Sequence, residues 1–175
     1  MIDEYAKKLI NVGELKITSG VLEMFGRRGI LLPITSYQYL FEILFKIFGE
    51  KIFDILYECG FKHGKTSVIE SREKFKITRR EYLDNIIRAG NLMGLGEAKI
   101  ISISDKKIII RLTNSPMVEI FKKMGIKTKR PVDSFEEGIF SGIFSEIYRT
   151  KMSSKETKCV FLNDPYCEFI IERQK

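Results

Sequence analysis

The sequence has one histidine, three cysteines and two glutamines, and no apolar run that could cross a bilayer. Each shortage excludes something. A single histidine supports no Ser-His-Asp order that can be argued. No glycine-rich phosphate loop or dinucleotide fingerprint is present either, so no motif for nucleophilic, acid–base or nucleotide-dependent catalysis stands out. Gly90, Gly94 and Gly96 do not follow a strand and open a helix, and they read as helix-end punctuation. The longest uncharged run, 29–41, contains Pro33 and falls short of the roughly 20 residues a bilayer span needs. The chain opens Met-Ile-Asp-Glu-Tyr-Ala-Lys-Lys, with no basic segment feeding an apolar one, so no secretory signal is visible. The expectation is a soluble, cytoplasmic protein. In a reducing compartment three cysteines do not make a disulfide framework.

What is present describes a globular chain. With 175 residues, 44% of them hydrophobic and 11% aromatic, residues 1–175 are most simply one domain with a real core. No repeat, low-complexity tract or linker interrupts it. The net charge is +7 with a pI near 9.2, but the Lys and Arg are spread along the chain. The densest cluster (Lys127, Lys129, Arg130) is short, which argues against a nucleic-acid footprint. A Lys/Ile/Glu-rich composition with few Gln reads as a thermophile-type surface.

The pattern of elements predicts an α+β fold, helices packed on an antiparallel sheet. Residues 14–18 and 21–25, around Ser19-Gly20, form an N-terminal hairpin within an extension over 1–28. Thr35-Ser-Tyr-Gln38 reads as a capping box opening a helix over 37–48. After Gly49, a helix over 51–70 carries Ile52, Ile55, Leu56 and Cys59 on one stripe. Thr78-Arg-Arg-Glu81 caps a helix that ends near Gly94. A hairpin, 97–104 and 107–113, places Ile108, Ile110 and Leu112 on one face. Ser115-Pro116 opens a helix to Met124. Asp133-Ser-Phe-Glu136 caps a long helix to about Thr150, with Phe135, Ile139, Ile143 and Ile147 on one stripe and Phe140, Phe144 and Tyr148 on the next. A last hairpin spans 156–162 and 166–172.

That last hairpin holds Cys159 and Cys167, with Asn163-Asp164-Pro165 between them. The pair suits either a metal or a small apolar filling. Zinc takes about four ligands from thiolate, imidazole or carboxylate. Glu156 lies three residues before Cys159. A fourth ligand could be Asp133, which helix capping also explains, or could come from Cys59 with His63, spaced i,i+4 on one helix face. Cys59 equally fits a core position, and His63 beside Lys62 and Lys65 equally fits a helix surface.

Several segments together resemble the vinyl-4-reductase (4-vinyl reductase) domain family. They are Arg28-Gly-Ile-Leu-Leu-Pro33, Leu56-Tyr-Glu-Cys-Gly60 continuing to Gly64, Gly138-Ile-Phe-Ser-Gly142, and Glu156-x-x-Cys159-x7-Cys167-x-Phe169. The resemblance covers about 29–171. It implies a ligand-binding fold of the NO-signalling and Golgi-transport type, related to trafficking-complex subunits and to NO-sensing haem domains. It also implies a structural Zn2+ held by Glu156, Cys159, Cys167 and, where the family has a cysteine, Asp133. Phenol-sensing members imply a stand-alone sensory domain for a small hydrophobic or aromatic ligand, acting as a homodimer without catalysis. By position, Ile110, Leu112, Ile143 and Ile147 line the implied pocket, and each also fits the core. The reductase name finds no flavin or nicotinamide motif in this chain.

Two other readings stand beside this one. Residues 81–93 followed by 94–113 mimic the helix and wing of a winged helix, but the helix presents Asp84, Ile86 and Ile87 where a DNA reader needs basic and amide groups. A scaffold acting through protein partners follows from the kinship with trafficking subunits.

Overall fold

The computed structural model describes residues 4–75, 79–104 and 106–174. The N-terminal part comprises α1 (Glu4–Asn11), β1 (Leu15–Thr18), β2 (Val21–Met24) and β3 (Arg27–Gly29). The three strands form a small antiparallel sheet in that order. Ser19 and Gly20 both have positive φ, 49° and 77°, the conformation that lets a two-residue turn follow strand twist. The expected hairpin is there, with two additions. Helix α1 buries only Ala6 and Leu9, and β3 is Arg-Arg-Gly, so neither shows much apolar pattern in the sequence.

Helix α2 (Ile34–Phe48) starts three residues before its expected first residue, with Pro33 as N-cap and no side-chain cap bond. Proline already holds the extended φ that precedes a helix, so Thr35-Ser-Tyr-Gln38 is not a capping box. Gln38 instead donates to Glu42 Oε1 at 2.9 Å. Helix α3 (Lys51–Phe75) is five residues longer than expected. Its buried line is Ile52, Phe53, Leu56, Ser67 and Val68, whereas Ile55 is 40% exposed and Cys59 is exposed. The stripe is turned because this helix is seated by Gly60 and Gly64, described below. Helix α4 (Arg79–Leu92) follows; the capping Thr78 lies outside the described residues.

The main sheet is antiparallel in the order β4-β5-β7-β6, from β4 (Glu97–Ile103), β5 (Lys107–Thr113), β6 (Met152–Lys158) and β7 (Cys167–Arg173). The β4–β5 turn is closed by Ser104, whose Oγ accepts the Lys107 N–H at 3.1 Å; Asp105 within it lies outside the described residues. Ile108, Ile110 and Leu112 are buried on one face, as alternation predicts. Because β5 pairs with β7 on its other side, the β4–β5 hairpin is part of the sheet and not a free wing. Helix α5 (Pro116–Lys123) is capped by Ser115, whose Oγ accepts the Val118 N–H at 3.2 Å. Helix α6 (Ser134–Tyr148) ends at Arg149 in the left-handed conformation.

Two devices place α6. Four glycines join it to α3. A Cβ on Gly60 would lie 2.0 Å from the Phe135 carbonyl oxygen, and one on Gly64 2.2 Å from that of Ile139. Reciprocally, a Cβ on Gly138 would lie 2.1 Å from the Tyr57 carbonyl oxygen and one on Gly142 2.2 Å from that of Phe61. Both helices must therefore lack Cβ atoms at this crossing, the use of glycine for close backbone approach. The second device covers the sheet edge. Strand β6 is terminal in the sheet, and its outward N–H groups at Glu156, Ser154 and Met152 are accepted by Glu137 (3.1 Å), Ser141 (2.8 Å) and Ser145 (2.9 Å) of α6. A four-residue helical spacing thus matches a two-residue strand spacing and satisfies an edge that would otherwise be unpaired. This explains why β6 begins at Met152 and not near Glu156: its polar start is held by the helix. Among the described residues no helix is long and apolar enough to cross a membrane.

Candidate functional site

The first site is a polar cluster at the head of α6. Asp133, Glu156, Cys159 and Cys167 each offer a ligand atom, all within 4.8 Å of one another, and all four residues are buried. Local structure explains the convergence. Cys159 ends β6 and leads into a short 3-10 turn (Val160–Leu162) closed by Asn163 at φ 73°. The Cys159 carbonyl accepts the N–H groups of Leu162 (2.9 Å) and Asp164 (3.1 Å), while its own N–H donates to Asp164 Oδ2 at 2.8 Å. The chain is thereby folded back so that Cys167, opening β7, faces Cys159. The Val160 N–H donates to Cys167 Sγ at 3.4 Å, a contact that favours thiolate.

Asp133 occupies the N-cap position of α6, yet its side chain makes no cap bond. Oδ1 accepts the hydroxyl of Ser115 instead. Its backbone N–H donates to Glu156 Oε2 at 3.0 Å. The remaining oxygens, Asp133 Oδ2 and Glu156 Oε1, are buried without a partner. Capping therefore does not account for Asp133.

The electrostatics are those of an anionic site missing its counter-charge. Burial raises the Asp133 carboxyl. Burial, then the charges of Asp133 and Cys159, push Glu156 up to about 11. The hydrogen bond from Cys167 draws Cys159 down to about 6 and correspondingly raises Cys167. Two thiols and two carboxylates with orphaned oxygens could hold a metal ion, and the donor set fits zinc. Cys59 and His63 are not in this cluster. They lie on α3, where Cys59 is exposed and the His63 ring sits 6.2 Å from that of Phe135.

The second site is a cavity enclosed by α3, α4, the β4–β5 hairpin and α6, lined largely by apolar side chains such as Ile86, Ile87, Leu112, Ile139 and Ile143. Gly96 forms one corner with φ 98°, where a Cβ would lie 2.8 Å from Leu112 Cδ1. Of the four apolar positions named from sequence, Leu112 and Ile143 line this cavity. Ile110 and Ile147 do not. Ile110 lies opposite Phe169 deep in the sheet, and Ile147 lies one turn beyond Ile143, away from a cavity that faces the first half of α6. Both are core.

One polar residue of the cavity wall escapes sequence reasoning. Glu136, assigned to capping by its spacing from Asp133, is 3% exposed, lines the cavity, and has no partner for either carboxyl oxygen. Burial, and then the charge of Asp133, raise it well above the usual carboxyl range. The available signal was its setting, a carboxyl flanked by Phe135, Ile139 and Phe140.

Residues 117–173 match the family model of the vinyl-4-reductase (4-vinyl reductase) domain. No curated protein matches the sequence. Among solved structures, the phenol-responsive sensory domain of the transcription activator PoxR, with phenol, superposes at a TM-score of 0.84 and 15% identity, over 99% of this chain and 92% of that one. A vinyl-4-reductase family protein from Methanocaldococcus jannaschii gives 0.56 at 22% identity, over 84% and 85%. A trafficking protein particle complex subunit 3 from Naegleria fowleri, covalently bound to palmitic acid, gives 0.56 at 15% identity, over 81% and 93%. These likenesses establish the fold.

Proposed function

From the premise that residues 117–173 carry a vinyl-4-reductase domain, we propose that this chain is a small-molecule-binding domain for a hydrophobic or aromatic ligand, binding without turnover. The observation that carries this reading is the largely apolar cavity between the helices and the sheet, with one unpartnered polar side chain in its wall. Such a cavity, apolar with few polar groups, is the form small-molecule sites take. The phenol-responsive sensory domain, similar over 99% of this chain, supports it. The cavity volume is about 60 Å³, below the roughly 150 Å³ of an engineered cavity that admits benzene. A ring-sized ligand therefore enters by moving part of the wall. Helix α4 is the side that can move, since the α3–α6 side is in backbone contact. Thermal-shift and native mass spectrometry measurements against a panel of phenols and aromatic hydrocarbons test the proposal. A mass shift with stabilisation by at least one compound is expected, and a protein indifferent to the whole panel contradicts it.

Zinc at Asp133, Glu156, Cys159 and Cys167 would act structurally, tying the head of α6 to both arms of the last hairpin. Its chemistry there is charge neutralisation and cross-linking, which answers the two orphaned carboxyl oxygens. The homodimer implied by the family resemblance is supported by α2, which exposes Leu40, Ile43 and Ile47 on one face at 50%, 56% and 66%, beside Leu31 at 88%. Contiguous apolar surface of this kind marks interaction sites.

A further inference from the structure

Glu136 stands three residues after Asp133, the position from which a carboxyl turns back to accept the backbone N–H of the capping residue. Here that N–H is taken by Glu156 at 3.0 Å. Released from the cap, the Glu136 side chain lines the cavity with both oxygens unpartnered. The other polar side chains of the wall are differently placed. Ser67 donates to the His63 carbonyl at 2.9 Å. Asn91 accepts the Ala98 N–H at 2.9 Å and donates to the Ala98 carbonyl at 3.4 Å. His63 is exposed at the rim. Among the described lining residues, Glu136 is thus the buried group whose hydrogen bonding is left to an occupant. A buried carboxyl without a partner is costly, and a hydrocarbon in the cavity would not relieve it.

We propose that Glu136 is the polar anchor of this cavity and that it selects small ring compounds bearing a hydroxyl group over hydrocarbons and carboxylic acids of the same size. The inference rests on the ligand-binding reading above and specifies its chemistry. In either protonation state the carboxyl accepts a ligand O–H. When it carries its own proton, as its burial favours, it also donates back to the hydroxyl oxygen. Toluene fills the same volume and leaves both oxygens unpaired. Benzoate brings a second negative charge toward Glu136 and the neighbouring Asp133, a pairing that a low-dielectric site rejects.

The test is titration calorimetry of the purified full chain with phenol, toluene and benzoate, repeated on Glu136→Gln and Glu136→Leu. Wild type should bind phenol about tenfold or more tighter than toluene, the effect of one satisfied hydrogen bond in a buried site, and benzoate weakest. Glu136→Gln, which still donates and accepts, should keep that preference. Glu136→Leu should lose it by weakening phenol and not toluene. Equal affinity of wild type for phenol and toluene overturns the anchor, as does unchanged phenol affinity in a Glu136→Leu protein that still melts cooperatively. In both cases the ligand-binding reading survives. Absence of binding by wild type to phenol and toluene alike overturns both. Should Glu136→Leu fail to fold, the wild-type ratio of phenol to toluene decides the matter alone.

Discussion

Gly138 faces the carbonyl oxygen of Tyr57 so closely that a Cβ would lie 2.1 Å from it. Neither partner at this contact is a flexible side chain, so a methyl group can be accommodated only by moving one helix. Gly138→Ala and Gly64→Ala should each destabilise the fold by about 1–3 kcal/mol or more, as overpacking does, read by urea unfolding. Gly90 is the control. It is helical with nothing within 4 Å of a built Cβ, and Gly90→Ala should be neutral or stabilise by up to about 1 kcal/mol.

The cluster of Asp133, Glu156, Cys159 and Cys167 makes a prediction about metal content. Protein purified without chelator should carry about one zinc per chain by elemental analysis, and chelation should lower its melting temperature. Cys159→Ser should abolish retention, whereas Asp133→Cys should retain zinc and resist chelator longer. A metal-free wild type whose stability is untouched by added zinc contradicts the assignment.

Glu136 yields a pH dependence. Its folded carboxyl is raised well above the ordinary value by burial, so the stabilising state is the protonated one. That contribution is complete below the unfolded value, near 4.5, and is lost as pH rises toward the folded value. The comparison with Glu136→Gln cancels the other buried carboxyls facing this helix turn, Asp133, Glu137 and Glu156. Above about pH 5 the variant should gain stability relative to wild type by up to about 1.4 kcal/mol per pH unit, measured by denaturant unfolding across the range from mildly acidic to neutral. A constant difference across that range would contradict it.

Ser141 joins three elements through one oxygen. Its Oγ accepts the Tyr57 hydroxyl at 3.0 Å and the Ser154 N–H at 2.8 Å, and donates to the Glu137 carbonyl at 2.9 Å. Ser141→Ala leaves a strand N–H and a phenol without their acceptor, and should cost about 1–3 kcal/mol. Hydrogen exchange at Ser154 should accelerate more than at Ile170 in the neighbouring strand.

The apolar face of α2 predicts association. Wild type should elute as a dimer by light scattering, and Ile43→Glu with Ile47→Glu should yield a folded monomer. A wild-type monomer at tens of micromolar contradicts it.

Much of this was legible in the sequence. The α+β order, the buried alternation of Ile108, Ile110 and Leu112, the Ser115 cap and the convergence of Glu156 with the two cysteines all follow from local periodicity and spacing. What escaped depended on which partner wins a group. Asp133-x-x-Glu136 reads as a capping box because spacing cannot reveal that Glu156, on a strand far along the chain, takes the cap's N–H. Cys59 reads as core because it falls in line with Ile52, Ile55 and Leu56, yet the glycines at 60 and 64 decide which face turns inward. Strand β6 reads short because Ser153-Ser-Lys has little strand character of its own, and its pairing is completed by side chains of α6.

The glycine crossing has a mechanical consequence. The α3–α6 wall is backbone against backbone, with no side-chain layer between the helices to compress, so volume added to the cavity cannot be absorbed there. The opposite wall is α4, joined to β4 through Gly94 and Gly96 in conformations with φ 80° and 98°. An occupant would therefore push outward in one direction only, and α4 becomes the pointer whose position reports whether the chamber is filled.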